Sequence, residues 1–126
     1  YLLVRPKGYK AVKVKMEEGV SYTKADYDKQ VKTNVETQAV IDQVVAYITS
    51  HNFKDFPPVV ALVEDATDQL GFAKGAKEKA EAAAAKEDWQ NAMLWANQWW
   101  QYQVKTADMG LRAKTYLEEH GAKKVE

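Results

Sequence analysis

Residues 89–119 read WQNAMLWANQWWQYQVKTADMGLRAKTYLEE. Trp89, Met93, Ala96, Trp100, Val104, Ala107 and Leu111 recur at steps of three and four, the period of one helix face. A second stripe, Trp95, Trp99, Tyr102, Met109 and Tyr116, runs beside it. Neighbouring residues differ by about 100° around the axis, so the apolar surface is wider than one core-facing stripe. Asp88 is placed to cap this helix with Asn91 at the third position, and Gly121 to stop it. Gly110 lies inside the pattern, where it would kink or loosen the helix.

Upstream, the punctuation divides the chain into further helices. Ala76, Ala80, Ala83 and Ala84 predict a short helix over 74–86, ended by the turn Lys86-Glu87-Asp88. Val59, Leu62, Val63, Ala66 and Leu70 predict another after Pro57-Pro58, with Gly71 as its left-handed C′ residue and Phe72 closing that cap. Tyr27, Val31 and Val35, then Ile41, Val44, Val45 and Ile48, predict a first helix from Thr23 to about Ser50, with Thr23 and Asp26 as a capping box. The expected architecture is all-α: an up-and-down four-helix bundle over 23–120. The long first and fourth helices are expected to be antiparallel, with the two short ones completing the core. A charged tail, 121–126, follows, and an extended basic arm, 1–22, precedes.

Composition narrows the function classes. The 126 residues are 46% hydrophobic and 29% charged, which is globular composition. Eighteen basic and eighteen acidic side chains cancel, which argues against a nucleic-acid binder held by net charge. The absence of Cys excludes disulfides, thiolate metal sites and a thiol nucleophile. The longest uncharged run, Trp89 to Val104, carries six Asn and Gln residues and does not suit a bilayer.

Catalytic constellations are missing. His51 and His120 stand at predicted helix ends, where a His bonds terminal carbonyls. The residues three before them are Ile48 and Leu117, which rules out the Glu-x-x-His of di-iron bundles. No His-Glu-x-x-His, Gly-x-Ser-x-Gly, Walker or dinucleotide fingerprint occurs. Met16, Met93 and Met109 with the two His could be imagined as haem ligands, but Met at helical spacing beside Trp reads as core. No cofactor and no metal are expected, and the chain is read as a non-enzyme.

Two features suggest a partner. Arg5, Lys7, Lys10, Lys13 and Lys15 precede any acid, which points to an arm that docks on an acidic surface or to a solvated leader. The second stripe, Trp95, Trp99 and Tyr102, needs cover from the arm, from another helix or from another protein, and Trp and Tyr are favoured interface anchors. Core packing of both stripes is the alternative.

The Ala-rich segment Ala76–Ala85, the turn Lys86-Glu87-Asp88 and the long helix Trp89–Glu119 resemble the later half of the extrinsic photosystem II subunits of the Q type. The likeness covers about residues 23–119 and is one of architecture. Those proteins tend to be more basic and richer in N-terminal Pro, and the Trp95/Trp99/Trp100 cluster has no match among their signatures. The resemblance implies a four-helix extrinsic protein of the chloroplast thylakoid lumen. It also implies that a transit peptide preceded Tyr1. The function expected is thus a non-enzymatic accessory subunit that docks on and stabilises a larger complex, photosystem II if the likeness holds. It would be membrane-peripheral through its host, with no nucleic acid bound. The alternative is a small helical carrier of an apolar ligand, pigment or cofactor, with a pocket lined by Met93, Trp99 and Trp100.

Overall fold

The computed structural model describes residues 19–125. Within them lie three long helices, α1 (Lys24–Thr49), α2 (Pro57–Ala85) and α3 (Trp89–Glu119), with a one-turn 3₁₀ segment at Phe53–Asp55. The all-α class holds, but the described residues contain three helices where the sequence predicts four. The two short helices expected over 59–70 and 74–86 are one continuous helix. Gly71 and Gly75 sit inside it, neither with a positive φ. Each disfavours helix by about 1 kcal/mol relative to Ala. The apolar stripe Val59, Leu62, Ala66, Leu70, Ala73, Ala76, Ala80 keeps one helical phase across both glycines. Its packing outweighs their penalty.

That fusion removes one chain reversal. The expected antiparallel relation of the first and last helices is therefore wrong: α1 and α3 run parallel, with α2 antiparallel to both. Tyr27 meets Trp89, Asn34 meets Ala96 and Val44 meets Gly110, so contacts advance along both helices in the same direction. Thr106 meets Ala66 and Phe72 meets Tyr102, in the opposite sense. α3 packs on both other helices, while α1 and α2 hardly meet. This central position explains the wide apolar surface read from its sequence.

Two apolar clusters form the core. Tyr27, Ala73, Ala76, Ala80, Ala92, Met93, Ala96 and Trp99 close one end. Val44, Ile48, Val59, Leu111, Ala113 and Leu117 close the other. The α2 alanines leave room for the bulky residues of α3. On the α1–α3 side a buried polar ladder links the helices. Gln30 Nε2 donates to Asn34 Oδ1 at 2.8 Å, and Asn34 Nδ2 donates to the Ala96 carbonyl at 3.0 Å. Gln103 Nε2 donates to the Asn34 carbonyl at 3.0 Å and to Gln38 Oε1 at 3.1 Å. Buried polar groups of this kind tolerate no slip in register without losing partners.

The caps expected for α1 and α3 are present, while that expected at Gly71 is not. Thr23 and Asp26 make a reciprocal capping box, and Asp88 accepts from the backbone N–H of Asn91. α3 ends on Gly121 at φ 66°, with Ala122 N–H bonded to the Leu117 carbonyl. α2 ends on the same motif, but its left-handed residue is Glu87, φ 56°. Because α1 and α3 are parallel, both C-terminal ends share one end of the molecule. There the segment read as a charged tail pairs with the end of α1: Asn52 N–H donates to the Lys123 carbonyl and Val125 N–H to Ser50 O, both at 2.9 Å.

Candidate functional site

The residues expected to bind a partner fall into three groups. Arg5, Lys7, Lys10, Lys13 and Lys15 lie outside the described residues. Only the end of the segment read as an arm is described. Gln90 at the start of α3 holds it, donating to the Val20 carbonyl and accepting from Tyr22 N–H.

Trp99 departs from its expected outward stripe. It is buried, at 6% exposure against 4% for Trp100. The reason is α3's central position: Trp99 points into the angle between its two neighbours, where both helices cover it. Lys77 of α2 reaches over its ring, 5.7 Å from the centroid.

Trp95 and Tyr102 are half-buried on the α2–α3 seam. Seven residues apart, they occupy one face of α3 two turns apart. The matching face of α2 brings Phe72 and Lys79, also seven apart. Lys79 Nζ lies 4.3 Å from the centroid of Trp95, and Lys105 Nζ 5.7 Å from that of Tyr102. Phe72, 55% exposed, leans on Tyr102 with ring centroids 5.5 Å apart. The result is a surface of three aromatic rings capped by two ammonium groups. Reading Phe72 as the closure of a helix cap missed it; the unbroken phase of α2 puts Phe72 and Lys79 on one face, and the packing of α2 on α3 sets that face against Tyr102.

On the other side of the α2–α3 contact, α1 and α2 diverge and leave a cleft floored by α3. Its apolar part is a half-open cavity of about 210 Å³, walled by Ile41, Val44 and Ile48 of α1, Leu62 and Leu70 of α2, and Gly110 of α3 among others. Leu70 also borders a wider trough of about 590 Å³, which carries Gln38, Asp42, Lys74, Lys77 and Glu81 and reaches Trp99. The ligand pocket expected from the sequence names Met93, Trp99 and Trp100. Of the three, Trp99 alone borders this cleft, and the aliphatic cavity lies further along it.

The histidines hold the helix ends as expected. His51 Nδ1 lies 2.6 Å from the Tyr47 carbonyl and its ring stacks on Tyr47 at 4.1 Å. His120 repeats this on Tyr116, at 2.8 Å and 3.8 Å. Among the described residues no three His, Asp or Glu side chains assemble as metal ligands, and no helix is long and apolar enough to cross a membrane.

No protein-family model, curated protein or solved structure matches the chain.

Proposed function

We propose that this chain is a non-enzymatic accessory subunit that docks on a larger protein complex and stabilises it. The observation that carries the reading is the exposed Phe72 against the half-buried Tyr102, beside Trp95 and flanked by Lys79 and Lys105. Rigid aromatic rings supply apolar contact area at low entropic cost, and the ammonium groups steer the surface toward acidic partners. The basic residues Arg5, Lys7, Lys10, Lys13 and Lys15 would add to that attraction. Trp99, being buried, serves the seam by supporting it and not by touching the partner.

The likeness of the Ala-rich segment, the Lys86-Glu87-Asp88 turn and the long last helix to Q-type extrinsic subunits, to which the three-helix fold adds nothing, makes photosystem II the host to test first, with the thylakoid lumen as the compartment. The test is rebinding of the purified chain to salt-washed photosystem II membranes. Binding that weakens with salt, and by at least about tenfold in a Phe72→Ser/Tyr102→Ser double variant that stays folded, supports the reading. Failure of the intact chain to bind removes photosystem II as host. Equal binding by the double variant removes the seam as docking surface.

A second reading, a helical carrier of an apolar ligand, is favoured by the aliphatic cavity between α1 and α2.

A further inference from the structure

We infer that the cavity between α1 and α2 is a binding site for a small, uncharged, hydrocarbon-like molecule, held by Ile41, Val44, Leu62, Leu70, Ala107 and Gly110. Such a molecule is the cargo that the carrier reading requires, so the assignment rests on that reading and gives it a ligand class and a place. The site lies across α2 from the aromatic seam and shares no lining residue with it.

Polarity selects the ligand. Three hydroxyls border the cavity, and each is already spent on its own helix. Thr49 donates to the Val45 carbonyl at 2.9 Å, Thr67 to Val63 O at 2.7 Å and Thr106 to Tyr102 O at 2.9 Å. With those hydrogens spent, a ligand group that needs a donor, a carboxylate above all, would lose water and gain no partner. A hydrocarbon needs no such partner and buries against these aliphatic walls whatever part of its surface the half-open cavity covers.

Size sets a second limit. An apolar protein cavity of about 150 Å³ stays dry and accepts benzene. The 210 Å³ here is larger, which suits one or two fused rings or a branched alkane of similar bulk. Small residues create the space: Ala66, Ala107 and Ala113 stand where larger side chains would close it. Access is present too, since Val45 at the rim is 44% exposed.

The test titrates the purified chain with benzene, naphthalene and octanoate. Binding is followed by the methyl NMR signals of Ile41, Val44 and Leu62 and by the thermal midpoint. Benzene and naphthalene are expected to shift those methyls and raise the midpoint with concentration, naphthalene binding at least about tenfold more tightly. Ala66→Leu, which fills the cavity, and Val45→Phe, which covers its exposed rim, should each weaken naphthalene about tenfold or more. Leu94→Ser, on the exposed surface of α3, should leave binding intact. Naphthalene binding unchanged in both cavity variants would place the ligand elsewhere and overturn this site while sparing the carrier reading. Octanoate binding more tightly than naphthalene would overturn the uncharged class. Failure of every probe would overturn site and carrier reading together.

Discussion

A Cβ placed on Gly110 would stand 2.8 Å from Val44 Cγ1. Real Cβ contacts essentially never come so close, and Val44 has little freedom to turn away, being β-branched and 3% exposed. The glycine that reads as a kink in the sequence is therefore a contact point, through which α3 lies against the parallel α1. Gly110→Ala gains helix propensity of about 1 kcal/mol. It meets an overpacking penalty of about 1–3 kcal/mol. A net loss near 1 kcal/mol is expected in urea unfolding, and the loss should vanish in a Val44→Ala background, where the obstructing methyl is gone. Stabilisation by Gly110→Ala in the intact chain would refute the close approach.

The other helical glycines behave oppositely. Gly71 and Gly75 have open space where a Cβ would go, and their φ values are negative. Gly71→Ala and Gly75→Ala should each stabilise by about 0.5–1 kcal/mol. Glu87 is the reverse case, a residue with a side chain in the left-handed position that ends α2. Glu87→Gly should stabilise by up to about 1 kcal/mol by relieving that conformation. A loss on Gly71→Ala would mean that α2 breaks there, as the sequence predicts.

Trp99 and Trp100 are both core residues. Each Trp→Ala substitution should cost about 3–5 kcal/mol, with no separation into a stability residue and a binding residue. They differ in polarity. Trp100 Nε1 is buried and, among the described residues, has no hydrogen-bond acceptor. Trp100→Phe should therefore lose less than Trp99→Phe, because it also removes an unsatisfied donor. Thermal unfolding of the four variants decides it.

Alkaline pH should destabilise the fold through Tyr27. Burial is the main cause that raises its phenol above the usual range, and the charges of Glu81 and Asp28 add to it. The folded chain then keeps this proton to a higher pH than the unfolded chain does. Tyr27 contributes stability below pH ~10, and that contribution declines as the pH rises beyond it. Tyr47, raised by burial and by Glu118, acts in the same direction. Tyr27→Phe should flatten the alkaline limb of a stability-versus-pH curve, and Glu81→Gln should bring the phenol's titration to lower pH. An unchanged limb in Tyr27→Phe would show that its phenol titrates alike in both states.

What the sequence determined by itself was local. The 3–4 spacing of apolar residues marks α1 and α3. Thr23-x-x-Asp26, Asp88-x-x-Asn91 and Gly121 mark their ends, and each of these signals acts within one or two turns. The histidines were legible for the same reason, since each bonds a carbonyl four residues before it. Trp95 and Tyr102 were legible as members of a second stripe that needs cover, but not which element covers them. Tertiary structure decided the rest. Whether Gly71 ends a helix or sits inside one is a contest between a local penalty of about 1 kcal/mol and the packing of a stripe that runs the length of α2. That contest sets the number of helices, and the number sets whether α1 and α3 are parallel. Only once α3 lay between two helices that hardly touch did Trp99 become buried, Phe72 meet Tyr102 and the aliphatic cavity open. Each of these depends on side chains from different helices meeting in space, which no spacing along one helix records.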